Sequence, residues 1–129
     1  MMQWSRERVL ILVSAAIFLL FGSWLFAVPT ALEGIGIQLT SAAAITDVRA
    51  IYGGLELGLA AFLLVAQARP AWHRASLLLL ACAIGGFAVG RLGGIILAGT
   101  GSPLMWGLLA IEAAAAAVMA WAYRAASSP

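Results

Sequence analysis

The sequence predicts an all-α integral membrane protein, an up-down bundle of four membrane-spanning helices. Of its 129 residues, 64% are hydrophobic and only 9% are charged, and the mean hydropathy is +1.07. A soluble domain has roughly a quarter charged residues. Because a span needs roughly 20 apolar residues, a chain of this length holds about four spans and no separate soluble domain. We therefore expect a single transmembrane domain over residues 1–129.

The first span follows Trp4 and two arginines and stops at Pro29. A cleaved signal peptide is the competing interpretation. The apolar run exceeds the usual hydrophobic region of about 7–15 residues, and no small-x-small cleavage pattern precedes the proline. We therefore expect the segment to remain as an anchor. The four spans are predicted at about residues 9–28, 47–67, 75–98 and 104–123.

The longest connection, Pro29–Val48, mixes apolar residues with Glu33 and Asp47. It is too apolar for a free linker, so we expect it to lie along the membrane interface and fold over the mouth of the bundle. A partly disordered loop is the alternative. Thr40 or Ser41 could cap a helix that continues into the second span.

Proline and glycine mark the remaining boundaries. Arg69-Pro70 should end the second span, since proline disfavours helix at the residue before it. We expect a short turn at Arg69–Arg74 and a tight turn at Gly99–Pro103.

The composition excludes several classes of function. The seven arginines are scattered at helix ends, which does not indicate nucleic-acid binding. One histidine and one cysteine cannot supply an ordinary metal site from nitrogen and sulfur ligands. We expect no cofactor and assign no catalytic residue. Cys82 lies in an apolar run and is predicted to be a small core residue.

Charge asymmetry predicts the orientation. In a four-span chain the arginines flanking the spans fall mainly on the side of the N-terminus: Arg6, Arg8, Arg69, Arg74 and Arg124. The positive-inside rule then places both termini in the cytoplasm.

Glycine spacing predicts helix contacts. Small residues four apart let helix backbones approach closely, which matters in lipid because no hydrophobic effect drives helices together. The second span carries one such pair and the third carries two overlapping pairs. The predicted packing residues are Gly54, Gly58, Gly86, Gly90 and Gly94.

The second span opens with an arginine and a glutamate where a membrane helix should have none. On an α-helix Arg49, Tyr52, Gly53, Glu56 and Ala60 share one stripe, and Gly54 and Gly58 lie on the opposite face.

Charges in three predicted spans fall at one depth. Glu56, Arg91 and Glu112 should each lie roughly 10–12 Å below the outer boundary, at 1.5 Å per residue. Because a lone charge is costly in hydrocarbon, we expect Arg91 to pair with both carboxylates while Arg49 and Tyr52 join from above. One interpretation is an ion-pair network that fixes helix neighbours. The other is a site for a lipid headgroup, a quinone-like ligand or a proton.

These motifs resemble a known family. The run Arg49-Ala-Ile-Tyr-Gly-Gly-Leu-Glu-Leu-Gly58, the run Gly90-Arg-Leu-Gly-Gly94 and then Glu112 are similar to the pattern of small four-span bacterial membrane proteins called domain of unknown function 4345. More loosely, they resemble the DoxX-like four-helix proteins. The resemblance extends from about Pro29 to Glu112 and implies a four-helix membrane fold without implying an activity. The turn Gly99–Pro103 departs from the family pattern because it lacks an acidic residue.

Three functions remain open at this point. We expect an accessory or interaction protein, or a subunit of a membrane complex, in the bacterial cytoplasmic (inner) membrane. Its partners would be membrane lipids and other membrane-protein subunits. The alternative is binding or transport of a small lipophilic molecule or a proton, with Glu56 and Glu112 titrating beside Arg91. The third is a membrane-embedded enzyme that uses Glu56 as acid or base and Arg91 to hold an anion.

Overall fold

The computed structural model describes residues 4–126, which form helices and no strand. A 3₁₀ helix, Pro29–Ile35, follows the first α-helix, and a π-helix, Arg49–Gly54, joins the second to the third. The α-helices are α1 (Arg6–Ala27), α2 (Ala42–Val48), α3 (Leu55–Ala66), α4 (Pro70–Ala98) and α5 (Pro103–Ala125). The predicted all-α class is confirmed.

Four helical stretches are long and apolar enough to cross a membrane. They are Arg6–Ala27, Ala42–Ala66, Pro70–Ala98 and Pro103–Ala125, and the second runs through α2, the π-helix and α3. The prediction of four spans is therefore confirmed, and the chain is a multi-pass membrane protein.

Helix starts follow local capping rules. The Ser41 side chain accepts a hydrogen bond from Ala44 N at 3.1 Å, so the second span starts at Ala42, earlier than predicted. Ser102 caps α5 in the same way, ahead of Pro103. The predicted turn Arg69–Arg74 is wrong beyond Arg69, because Pro70 is the first residue of α4. Proline suits that position since the first helical N–H has no partner within the helix.

The connection between the first two spans is ordered, so the disordered alternative is wrong. Leu32 from the 3₁₀ helix is buried with Leu25 of α1 and Val48 of α2. Ala31, Ile37 and Leu39 pack against this group. Gly36 ends the 3₁₀ helix in a left-handed conformation with φ of 91°. The apolar residues of this segment therefore pack onto the ends of the helices that it joins.

The chain divides into two compact units. The N-terminal hairpin is residues 8–69, and the C-terminal hairpin is residues 70–126 together with residues 4–7. Each pairs two candidate spans in antiparallel order, because the contacts within each run from the first residues of one span to the last residues of the next.

The N-terminal hairpin is closed at both ends by arginine hydrogen bonds. Arg8 Nε donates to Gln67 Oε1 at 2.9 Å, and Arg49 Nε donates to Phe26 O at 3.1 Å. Between them, Ile11, Ala60 and Leu63 are fully buried.

The C-terminal hairpin is joined by side chains along the length of α4 and α5. The Arg74 guanidinium lies over the Tyr123 ring, Gly85 lies opposite Ala116, and Arg91 bonds Glu112. Leu77 and Leu80 of α4 are buried. Cys82 is exposed, so the prediction that it is a core residue is wrong.

Candidate functional site

Arg91 and Glu112 form a bidentate ion pair between α4 and α5. Arg91 Nε donates to Glu112 Oε2 at 2.8 Å, and Nη2 donates to Oε1 at 2.5 Å. The Sδ of Met105 accepts a third hydrogen bond from Nη1 at 3.3 Å. The exposed fractions of the two side chains are only 23% and 16%.

The backbone explains why Arg91 faces α5. Arg91 lies three residues after Ala88, which is buried, and six after Gly85, which lies opposite Ala116. At this spacing the three residues lie on the same side of α4. The planar guanidinium matches the carboxylate, so both oxygens of Glu112 are occupied. This pair is electrically neutral, and it joins two spans at a fixed register.

Glu56 is in a different situation, in the first turn of α3. It lies three residues after Gly53 and four before Ala60, both of which are buried. Its Oε2 is buried and finds no hydrogen-bond partner within residues 4–126. A buried polar atom without a partner costs free energy, so such an atom in a native protein indicates strain, chemistry or an external partner. Glu56 therefore carries the clearest functional signal in the N-terminal hairpin.

The π-helix places Glu56 relative to Arg49 and Tyr52. Leu55 N donates to Ala50 O, five residues back, instead of four as in an α-helix. Short π-helical turns are frequent at functional sites. The wider turn changes which residues share a face: Gly53 is buried, whereas Tyr52 is 40% exposed and Arg49 is exposed. The single polar stripe predicted from α-helical spacing is therefore interrupted.

Arg49 lies against the end of α1. The carbonyl oxygen that accepts its Nε–H belongs to Phe26, one residue before α1 ends. The last carbonyls of an α-helix lack partners within that helix, so Arg49 supplies one. Its positive charge is also favourable at the negative end of the helix dipole.

Two glycines allow α1 and the second span to approach closely. A Cβ at Gly22 would lie 3.0 Å from Gly53 O and 3.1 Å from Glu56 Cβ. A Cβ at Gly53 would lie 2.8 Å from Phe26 Cβ. Sequence reasoning missed Gly22 as a contact residue, although it is the only glycine within a bulky apolar run. This crossing brings the backbone of α1 directly beside Glu56.

The predicted packing glycines lie elsewhere. A Cβ at Gly54 would meet only Arg49 O, at 3.6 Å. At Gly58, Gly86, Gly90 and Gly94 no heavy atom of the described chain lies within 4 Å. Within residues 4–126, therefore, the close helix contact is made by Gly22 and Gly53, on the same side of the second span as Glu56.

The predicted five-residue cluster is distributed over both hairpins. Arg91 and Glu112 are together in the C-terminal hairpin, while Arg49, Tyr52 and Glu56 belong to the N-terminal one. Among the described residues, no group of three His, Cys, Asp or Glu residues converges as a metal site would require. Sequence reasoning also missed an open, polar-lined groove of 370 Å³ at the loop after the 3₁₀ helix. It is lined by Glu33, Gly36, Gln38, Leu39 and Thr40.

A known protein family matches nearly the whole chain. A family model described as Domain of unknown function (DUF4345) matches residues 7–123. The chain belongs to this family. The DUF4345 match includes all four candidate spans up to Tyr123, and with them Arg49, Glu56, Arg91 and Glu112. It confirms the resemblance to domain of unknown function 4345 read from the motifs. Searches of curated proteins and of solved structures gave no match.

Proposed function

We propose that this protein is an accessory subunit that binds a membrane-spanning helix of another protein through the side of α4 that carries Gly86, Gly90 and Gly94. We place it in the bacterial cytoplasmic membrane with both termini in the cytoplasm, because the arginines that flank the spans cluster on one predicted side. The absence of a recognisable catalytic set in its sequence favours action through a surface.

The observation that carries this proposal is the open space around three glycines. Gly86, Gly90 and Gly94 repeat every four residues on α4, and a Cβ at any of them would meet nothing within 4 Å. Val89 and Leu97, on the same side of α4, are 73% and 90% exposed. Together these five residues, which we call the glycine face, form a shallow groove edged by two large apolar side chains.

The chemistry of the glycine face favours an apolar helix as the partner. In lipid, helices associate through van der Waals contact where small residues let backbones approach. Arg91, the charged residue nearest to this face, is bonded to Glu112 on α5. An uncharged helix with small residues at its own contact would therefore fit best.

Native mass spectrometry of the protein extracted gently from its own membrane tests this proposal. We expect the chain to emerge with a stoichiometric protein partner of defined mass. Gly90→Leu, which fills the groove, should reduce the partner-bound fraction at least tenfold. Gly107→Leu on α5 is the matched control, because Gly107 is equally open, and it should retain the partner. A wild-type chain that emerges alone, or only with copies of itself, would overturn the proposal.

A second function is favoured by the unpartnered Oε2 of Glu56. A small lipophilic molecule with a hydroxyl or amine could donate a hydrogen bond to this oxygen, and a proton could bind it directly. The neighbouring π-helix and the bare backbone at Gly22 and Gly53 support this location. On this account, Glu56 is the group that recognises the ligand.

Native mass spectrometry of the gently extracted protein also tests this second function, because it shows the mass of any small molecule that stays bound. Wild-type protein should carry a discrete ligand mass that is at least tenfold reduced in Glu56→Ala. Glu33→Ala, which removes an exposed carboxylate of the same hairpin, is the control and should keep the ligand. If the wild-type protein and both variants retained equal amounts of the ligand, Glu56 would have no role in binding it.

A further inference from the structure

A group of arginines and aromatic residues lies at one end of the C-terminal hairpin. One member is Arg74, in the first turns of α4, whose guanidinium carbon lies 4.5 Å from the centre of the Tyr123 ring. The Nε of Arg74 is buried and has no hydrogen-bond acceptor within residues 4–126. The ring thus holds the guanidinium in place while its charge remains without a carboxylate partner.

Arg6 makes the same kind of contact with a second aromatic ring of α5, two residues before Tyr123. Its guanidinium carbon lies 5.3 Å from the centre of the Trp121 ring. Trp121 and Tyr123 lie on different sides of the last turns of α5, since residues two apart on a helix do not share a face. The end of α5 is therefore flanked by two arginines, and Arg124 adds a third positive charge in its last turn.

Among the described residues, carboxylates balance only part of the positive charge at this end of the C-terminal hairpin. Glu7 follows Arg6 in the sequence, and His73 precedes Arg74. Glu7 is the one carboxylate there within the described residues, and it accepts a hydrogen bond from Ser5 while it lies near Arg6 and His73. Three arginines against one glutamate leave a net positive charge of about two. We call Arg6, Arg74, Trp121 and Tyr123 the arginine rim, and Arg124 adds a positive charge outside it.

The neighbouring tryptophans place the arginine rim at headgroup depth. Trp4 and Trp72 belong to the same hairpin, and their exposed fractions are 61% and 38%, while that of Trp121 is 57%. Tryptophan and tyrosine concentrate where the hydrocarbon meets the polar headgroups. At this depth the anion available to unpaired arginines is the phosphate of a phospholipid.

We propose that the arginine rim is a binding site for an anionic phospholipid, with Arg74 as the residue that contacts the phosphate and Tyr123 as the residue that holds Arg74 in position. Arg6 adds charge to the same site. A phospholipid with net negative charge fits this site better than a zwitterionic one, because the rim has no second carboxylate within the described chain to accept a choline or ethanolamine group. This inference is independent of the glycine face and of Glu56.

The test measures lipid retention by the full-length protein in detergent with native mass spectrometry. The probes are equal amounts of dioleoyl phosphatidylglycerol and dioleoyl phosphatidylcholine. Wild-type protein should retain the glycerol lipid at least fivefold in preference, and Arg74→Gln should lower that preference about fivefold, the effect of one well-placed basic residue. Arg124→Gln is the matched control: it removes the same charge from the same end, but Arg124 contacts no ring among the described residues. It should change the preference less than twofold.

Several outcomes would overturn the site. If Arg74→Gln and Arg124→Gln lowered the preference for the anionic lipid equally, general surface charge would explain it. If wild-type protein showed no lipid preference, there would be no such site. Displacement of the lipid by excess inorganic phosphate would identify a free anion, not a lipid, as the occupant. If Arg74→Gln does not fold, Tyr123→Leu keeps the charge and removes the ring. A preference lowered severalfold in that variant supports the site, and an unchanged preference contradicts it.

Discussion

The two hairpins are held together in different ways. In the N-terminal hairpin, α1 and the second span approach through backbone, with Gly22 beside Gly53 and Phe26 beside Gly53. In the C-terminal hairpin, α4 and α5 are joined by long side chains, through the Arg91–Glu112 pair and the stack of Arg74 on Tyr123. The glycines of α4 at positions 86, 90 and 94 take no part in that joint.

This difference shows that glycine content does not reveal which helices meet within the chain. Lipid leaves van der Waals contact and polar bonds as the forces that join spans, and each hairpin relies mainly on one of them. Where an ion pair sets the register of α4 against α5, the glycines of α4 are left on an outer surface. In the N-terminal hairpin the close contact lies between its own helices, and Oε2 of Glu56 has no hydrogen-bond partner within residues 4–126.

The largest effect should come from breaking the ion pair on one side. Glu112→Met leaves the Arg91 charge without its partner, and we expect the free energy of unfolding in mixed detergent micelles to fall by about 2–3 kcal/mol. This is less than the roughly 3–5 kcal/mol typical of fully buried pairs, because both side chains keep some exposure. The double variant Arg91→Met with Glu112→Met should recover most of the loss, since it removes both charges. A double variant as unstable as the single one would show that the pair is not what joins the helices.

Overpacking the glycine crossing should have the next largest effect. Gly53→Ala places a methyl group 2.8 Å from Phe26 Cβ, so the helices must separate, at a cost of about 1–3 kcal/mol in the same unfolding measurement. Gly58→Ala is the control, because its Cβ would meet open space, and it should leave stability unchanged or slightly higher. Equal effects at the two positions would contradict the close crossing assigned to Gly53.

Arg49→Met should have the smallest effect of the three. It removes the hydrogen bond to Phe26 O, which lies at an exposed position, and should lower the free energy of unfolding by about 0.5–1 kcal/mol. Arg69→Met, at an exposed position beyond the helix end, is a comparison with the same change of residue. An Arg49 effect as large as that of Glu112→Met would mean that the two hairpins depend on polar bonds to the same degree.

Much of the fold could be predicted because it depends on local sequence. Apolar runs of the right length fixed the number of spans, and Ser41, Pro70 and Pro103 mark helix starts through their own backbone chemistry. The turn predicted at Arg69–Arg74 failed because proline ends one helix and also begins another well. The break between the second and third spans, at residues 67–69, lies where it was predicted to within a residue or two.

The candidate site was less predictable because it depends on packing. The spacing of Arg49, Tyr52 and Glu56 implies one face only if the helix is regular, and the π-helix at Arg49–Gly54 is not a property of those residues alone. Gly22 has no glycine four residues away to mark it as a contact residue. Periodicity also cannot tell whether a glycine face meets a helix of its own chain or of another protein, as Gly86, Gly90 and Gly94 illustrate.

Photo-crosslinking tests whether the glycine face of α4 contacts another membrane protein, as we propose. A photoreactive residue at Val89 would be compared in the native membrane with one at Ile111 of α5, which is 68% exposed. We predict that Val89 forms one protein adduct of defined mass, the mass also found for the partner in gentle extraction, and that Ile111 forms none. Lipid adducts alone at Val89, or the same adducts at both positions, would show that the glycine face does not bind a protein partner.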